Sequence, residues 1–392
     1  MLNHRARGDL ASGMEAPTDV LGCSVAFVGL GAMGCGMAAN LQAGMRRKKM
    51  SPLLVWNRTP AKAEQVAAET GAKAVAELTG LASANIVLSC LPSSKEVAAV
   101  AGKLGPLLAR GSLWIDCTSG EPLATRSIAA SLAEAGVRMV DCPVSGGPAG
   151  AASGQLTAMV GGDDAAVARA TQLIALFAKK KIVRCGGLGC ACAVKSVNNA
   201  LNVSHLVLGA EGLIALAKFG VPPEVALNAI NGSSGRSLQT EERLPKEVLS
   251  RNFVSPDQQR HKKTPQLSDA DRCCQQGYGF KLGLMLKDVT IALTDVLQPP
   301  ADGAAAAEAE ARGTKRKLEE ADDAEGGVAS GTGIVQSVRR LLTQAVAQEG
   351  YDADYSKAVR PLEKQAGVEL HAGRASDNYE PPPYQASATS AL

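Results

Sequence analysis

The stretch Val25-Ala26-Phe27-Val28-Gly29-Leu30-Gly31-Ala32-Met33-Gly34 decides the fold of this chain. Its four apolar residues read as a buried strand, and a helix-forming run to Leu41 begins where the glycines end. Gly29 permits a tight turn, Gly31 lets a backbone come close to a pyrophosphate, and Gly34 lets the helix pack on the strand. The helix N-terminus then offers unpaired N–H groups and the positive end of its dipole to phosphates. A lone G-x-G-x-x-G is a weak signal, since any glycine-rich turn satisfies it. A strand before it and a helix after it make residues 29 to 34 a dinucleotide-binding turn, with Leu30, Ala32 and Met33 completing the cradle.

Working outward, short β-branched runs alternate with Ala/Glu/Lys-rich helical stretches. The strands read as Ser24–Val28, Leu53–Trp56, Ile86–Ser89, Leu113–Asp116, Arg138–Asp141, Leu156–Val160 and Ile182–Arg184, with helices such as Pro60–Glu69 and Glu121–Ala135 between them. Continuous apolar strands alternating with helices predict a parallel sheet covered on both faces. After Cys185 the strand signal stops. Ala191–Phe219 reads as one long apolar helix closed by Gly220, and the periodic stretches beyond it, Glu224–Ile230, Phe280–Leu297 and Gly333–Gln348, are helical. The fold class expected is α/β followed by all-α. A Rossmann-type domain spans residues 23–186 and an all-α domain 187–371, between a flexible N-terminus (1–22) and a flexible tail (372–392). Residues 255–279 and 298–332 are poor in large apolar side chains and read as surface insertions.

The end of the second strand selects the dinucleotide. An NAD enzyme usually places an acid there for the ribose 2′-OH. This chain has Asn57-Arg58-Thr59. Arg58 can hold a 2′-phosphate through charge-assisted hydrogen bonds and Thr59 can add a hydroxyl, so NADP is favoured over NAD. The alternative is an arginine that simply faces solvent. The Arg46-Arg47-Lys48-Lys49 run is the solvated, dipole-compatible end of the first helix.

Composition excludes several classes. Among 392 residues, 41 Lys and Arg against 38 Asp and Glu leave a net charge of only +3, and aromatics are 3%. A nucleic-acid binder shows a basic excess and stacking platforms, so no nucleic acid is expected. No uninterrupted run of 18 apolar residues occurs, because Asn202, His205 and Glu211 break Ala200–Ala217; no membrane span is expected. The 10 cysteines form no C-x-x-C pair and the 4 histidines are scattered. Cys185, Cys190 and Cys192 lack a second ligand pair, so free thiols and no metal are expected. Arg5 and Arg7 hint at a targeting peptide that Asp9 and Glu15 interrupt. The compartment expected is the cytoplasm, with the mitochondrion as alternative.

Two further motifs carry chemistry. In Asp141-Cys142-Pro143-Val144-Ser145-Gly146-Gly147, a serine with consecutive small residues exposes a hydroxyl and backbone N–H groups together, which suits a carboxylate. Any strand-to-loop turn is the competing reading. In Gly187-Leu188-Gly189…Lys195…Asn198-Asn199, Lys195 and Asn199 share one helix face. A partly buried lysine has a lowered pKa, as proton transfer requires; the ordinary alternative is a lysine snorkelling from an amphipathic helix.

Taken together, Gly-Leu-Gly-x-Met-Gly at 29–34, Asp-x-Pro-Val-Ser-Gly-Gly at 141–147 and Gly-x-Gly…Lys-x-x-Asn-Asn at 187–199 resemble the β-hydroxyacid dehydrogenase family. Its members include 3-hydroxyisobutyrate dehydrogenase, tartronate semialdehyde reductase and glyoxylate/succinic semialdehyde reductases. Phe280-Lys281-Leu282-Gly283-Leu284-Met285-Leu286-Lys287-Asp288 is similar to the family's motif in the helical domain. The resemblance implies an NAD(P)-dependent oxidoreductase that interconverts a short β-hydroxy acid and its semialdehyde or oxo acid, working as a homodimer or homotetramer. It implies Lys195 as acid/base, Asn199 as its orienting neighbour, and Ser145, Gly146 and Gly147 on the substrate carboxylate. Leu91, Pro92, Ser119 and Lys287 match positions that line the cofactor, and Ser119 stands where the family often has Thr. The Ser145–Gly154 loop is similar to the 3-hydroxyisobutyrate type, whereas Asn57-Arg58-Thr59 is similar to NADPH-dependent glyoxylate and succinic semialdehyde reductases. A different class, a non-catalytic interaction protein on the same fold, is the competing hypothesis; there Thr314–Lys317 would be a nuclear signal, but a chromatin-associated relative of that kind lacks the lysine that this chain keeps. The sugar-phosphate dehydrogenase class is disfavoured, since its helical domain is much larger.

Overall fold

The computed structural model describes residues 19–251, 253, 281–297 and 333–371. Both expected insertions, Phe280, Thr314–Lys317 and the tail after His371 lie outside the described residues, as does most of the expected N-terminal segment.

The strands are β1 (Val25–Val28), β2 (Leu54–Trp56), β3 (Lys73–Ala74), β4 (Ile86–Ser89), β5 (Leu113–Asp116), β6 (Arg138–Asp141), β7 (Val144–Ser145), β8 (Thr157–Gly161) and β9 (Lys181–Gly186). They form one sheet in the order β3-β2-β1-β4-β5-β6-β8-β7, with β9 paired to β8. The first six positions are the 3-2-1-4-5-6 order of a doubly wound dinucleotide-binding sheet, whose strand direction of growth reverses between β1 and β4. Side chains alternate across it as strand geometry requires. Val25, Phe27, Ile86, Leu88, Leu113 and Ile115 enter one core, while Ala26, Val28, Val87 and Trp114 enter the other. Helices α1 (Gly34–Arg47) and α6 (Asp164–Phe177) cover the first core; α3 (Ser94–Leu104) and α4 (Pro122–Glu134) cover the second. Two shorter helices, α2 (Pro60–Thr70) and α5 (Gly147–Ser153), complete this half.

One expectation is corrected here. The sheet is mixed, because β8 runs antiparallel to both β6 and β7. The chain leaves β6 through Pro143, adds the two-residue β7, and turns back through the seven-residue α5 to pair β8 antiparallel with β7.

The second half is built on α7 (Cys190–Phe219), followed by α8 (Pro223–Asn231), α9 (Gln239–Leu249), α10 (Leu282–Ile291), α11 (Gly333–Glu349) and α12 (Arg360–Ala366). Wider turns continue α10 through Ala292–Leu297. Val203, Leu206, Ala210 and Leu213 of α7 share a third core with Leu244, Leu282, Met285, Val289, Leu342 and Tyr355. By length and composition α7 would suffice to cross a membrane, contrary to the sequence reading. It packs instead on β8 and β9 at its start and on α9, α10 and α11 farther on. Polar interruptions of the apolar run are met from neighbouring helices: Asn199 donates to Asp288 on α10, and Asn202 accepts from Gln239 on α9.

Candidate functional site

The glycine turn is built as its spacing demands. Gly29 takes φ 95°, and a Cβ there would lie 2.3 Å from the Cys90 carbonyl oxygen and 2.8 Å from the Leu91 side chain. A Cβ on Gly34 would stand 1.9 Å from the Gly29 oxygen, so helix and strand meet only through glycine. At Gly31, by contrast, an added Cβ meets nothing within 4 Å. The space above Gly31 is open for a bulky group. The first turn of α1 holds no acidic residue, and Met33 at its cap supplies no side-chain hydrogen bond. These features fit a dinucleotide pyrophosphate, whose charge would complete the helix end.

The side chain of Asn57 braces this turn. Its Oδ1 accepts from the Leu30 N–H at 3.0 Å, and its Nδ2 donates to the Thr59 oxygen at 3.1 Å. Arg58 and Thr59 are exposed beside it. Leu91 packs at Gly29, and its N–H donates to Thr118 Oγ1 at 3.0 Å, so the β4 and β5 loops are tied together. Pro92 next to it is exposed.

Beneath these loops lies a buried polar chain. Trp114 Nε1 donates to Ser89 Oγ at 2.9 Å, and Ser89 Oγ donates to Asp116 Oδ1 at 2.8 Å. Burial lifts the Asp116 carboxyl to about 6, against hydrogen bonds from Thr118 and Ser89 that pull it down. Cys90, Cys117 and Cys142 follow the three strand ends in a row. Burial pushes the Cys90 thiol up to about 12, and a hydrogen bond to Cys142 together with burial raises Cys117. The Cys90 and Cys117 thiols therefore keep their protons at neutral pH and are poor nucleophiles.

The helical half contributes the ionisable cluster. Lys195 is only 8% exposed, and burial lowers its pKa while the Asp288 carboxylate raises it and the Lys287 charge lowers it further. Asn199 Nδ2 donates to Asp288 Oδ2 at 2.5 Å, and Lys287 Nζ lies 2.9 Å from Asp288 Oδ1. Lys287 Nζ also donates to the Ser119 carbonyl oxygen, which joins α10 to the loop after β5. The structure therefore brings Lys195, Asn199, Lys287 and Ser119 together. Asp288, noted in the sequence only as a neighbour of Lys287, bonds Asn199 and Lys287 and acts on the Lys195 charge, while Ser119 joins through Lys287.

Ser145 closes β7 instead of standing in a free loop. Gly146 and Gly147 follow it with φ of 137° and 63°, a backbone that only glycine adopts without strain. Sequence reasoning missed Ser89 and Thr118, neither of which has a local signature.

Residues 24–187 match the family described as the NAD-binding domain of 6-phosphogluconate dehydrogenase. Residues 189–257 match the NAD-binding family of NADP-dependent 3-hydroxyisobutyrate dehydrogenase. The chain is 34% identical over 234 residues to 2-(hydroxymethyl)glutarate dehydrogenase of Eubacterium barkeri, covering 59% of this chain and 75% of that one. It is 32% identical over 216 residues to the human mitochondrial 3-hydroxyisobutyrate dehydrogenase, covering 54% and 62% of the two chains. Among solved structures, Mycobacterium tuberculosis 3-hydroxyisobutyrate dehydrogenase with L-serine superposes with a TM-score of 0.62 at 23% identity, over 87% of this chain and 99% of that one; at this identity the likeness shows the fold. With its glycine turn, its buried lysine cluster and a relative matched over three quarters of its length, the chain belongs to the β-hydroxyacid dehydrogenase family of NAD(P)-dependent oxidoreductases.

Proposed function

We propose that the protein interconverts a short β-hydroxy acid of the 3-hydroxyisobutyrate type and its semialdehyde, with Lys195 moving the proton. The observation that carries this reading is the buried Lys195, whose charge is disfavoured by burial and tuned by Asp288 and Lys287. A lysine whose pKa is lowered in this way gives up its proton more readily than an exposed one, as proton transfer requires. The nicotinamide, when bound, supplies or accepts the hydride. In oxidation the neutral Lys195 amine takes the hydroxyl proton; in reduction its ammonium form protonates the carbonyl oxygen. Asn199, fixed by Asp288, orients the lysine or the oxygen it serves. Ser145 with the backbone of Gly146 and Gly147 holds the substrate carboxylate, and Lys287 and Ser119 line the cofactor.

Arg58 supports NADP as the preferred cofactor, since it is exposed at the end of β2 where no acid stands to repel a 2′-phosphate. Self-association is proposed along α7, where Val194, Leu201 and Leu208 are exposed at seven-residue spacing, as in a helix seam. Sedimentation of a Leu208→Glu variant tests it, and unchanged mass would contradict it.

Turnover of 3-hydroxyisobutyrate, glyoxylate, succinic semialdehyde and tartronate semialdehyde, each with both cofactors, tests the substrate class. Activity on the first is expected. Activity confined to glyoxylate or succinic semialdehyde would move the assignment to the reductase branch, and none on any would favour an interaction protein.

A further inference from the structure

The 30-residue helix that bears Lys195 has no cap of its own. It begins after Gly189, which takes φ 85° and offers no side chain to the first amides. The cap comes from another element, 48 residues earlier in the chain. Asp141, fully buried at the end of β6, accepts from the Gly189 N–H through Oδ1 at 2.9 Å and from the Cys192 N–H through Oδ2 at 3.0 Å. A carboxylate on the first turn of a helix satisfies amides that otherwise lack partners and complements the dipole.

The fold makes room for this arrangement. Gly161 on β8 is the register partner of Asp141. A Cβ at Gly161 would lie 2.4 Å from Asp141 Oδ1 and 2.7 Å from the Gly187 oxygen. Only a glycine leaves the carboxylate where it is. Lys195 stands three residues after Cys192, less than one helical turn from the capped amide. In the other direction, Asp141 continues through Cys142 and Pro143 into β7 and Ser145.

We infer that Asp141 is a positioning residue: its two carboxylate oxygens seat the first turn of α7 on the root of the Ser145 loop. The proton-transferring lysine and the carboxylate-holding loop thereby share one anchor. The inference rests on the Lys195 reading above and adds the residue that sets where the lysine stands. Small misplacements of a reacting group cost up to about a hundredfold in rate, so a displaced anchor acts on turnover before it acts on binding.

Two perturbations test it. Asp141→Asn keeps the size but turns one acceptor into a donor facing a backbone N–H. Gly161→Ala leaves the carboxylate in place chemically and pushes it sterically. Each folded variant should lose roughly tenfold to a hundredfold in kcat, with NADPH dissociation constants, read by fluorescence, within about threefold of the native protein. The double variant should lose much less than the product of the two, since both act on one contact. A folded Asp141→Asn protein with native kcat and only a lower melting temperature would overturn the inference. If that variant fails to fold, native kcat in folded Gly161→Ala does so. Lys195→Ala, run in parallel, separates the two levels: its retained turnover would remove the underlying reading, whereas its loss of turnover beside an unaffected Asp141→Asn would remove this inference alone.

Discussion

Asn199 on α7 donates to Asp288 on α10 across 2.5 Å, although 89 residues separate them. Through this bond the helix bearing Lys195 is fixed to the helix whose Lys287 reaches the Ser119 loop. The same carboxylate raises the Lys195 pKa against burial, so one residue both holds and tunes the site.

Asp288→Asn should therefore shift the pH profile in a defined direction. In the proposed role Lys195 must be neutral for oxidation, so kcat/KM should rise with pH through the lysine's pKa. Without the carboxylate the ammonium is less favoured, and the rise should come at lower pH. Lys287→Gln, which removes a like charge, should move it to higher pH. Profiles that stay in place in both variants would show that Lys195 does not set them.

The second and third glycines of the turn should separate folding from binding. Gly34→Ala meets the Gly29 oxygen and should cost about 1–3 kcal/mol of stability. Gly31→Ala meets nothing in the protein and should melt near the native temperature, while NADPH binds roughly tenfold or more weakly, a loss of about 1.4 kcal/mol. Thermal melts and cofactor titrations of the two variants check this; equal melts would contradict the packing argument.

How much of this was legible beforehand follows from distance along the chain. The turn at residues 29–34 and the strands at Ile86–Ser89, Leu113–Asp116 and Arg138–Asp141 were readable because each rests on local pattern. The reversal of β8 was not, since a strand's composition does not encode its direction. Helix α9 escaped notice because it carries Pro245 and a mostly polar sequence. Within the site, Lys195 and Asn199 share a helix face and could be paired on spacing. Asp141 on Gly189 and Asp288 on Asn199 are contacts between distant segments, invisible until the chain is folded. Asn57 stood out as a missing acid; its bond to Leu30 has no sequence signature.

Asp116 should make stability depend on pH. Its folded-state pKa, about 6, exceeds the ordinary 3.8, so the folded chain holds the proton more tightly. Its contribution is complete below about pH 4, is lost as the pH rises through about 6, and amounts to on the order of 3 kcal/mol. Asp116→Asn can still accept from Ser89 and Thr118 and has no charge to bury. Urea unfolding should show the variant gaining on the native protein between pH 4 and 7.5. Parallel stability curves would mean that the carboxyl ionises without penalty.

Arg58→Ala should weaken NADPH binding by about 1.5–3 kcal/mol, the worth of a hydrogen bond to a charged group, and leave NADH nearly unchanged. Isothermal titration with both cofactors checks it. Equal losses for the two would show that Arg58 does not read the 2′-phosphate.

The central claim is that Lys195 moves the proton, and the most direct measurement is the turnover of Lys195→Ala with cofactor saturating, on a substrate the native protein uses. General acid/base catalysis is worth about 10²–10⁴ in rate, so turnover should fall by at least that order while NADPH affinity holds. Lys195→Arg should not restore it, since a guanidinium keeps its proton at working pH. Native turnover in the alanine variant would contradict the account.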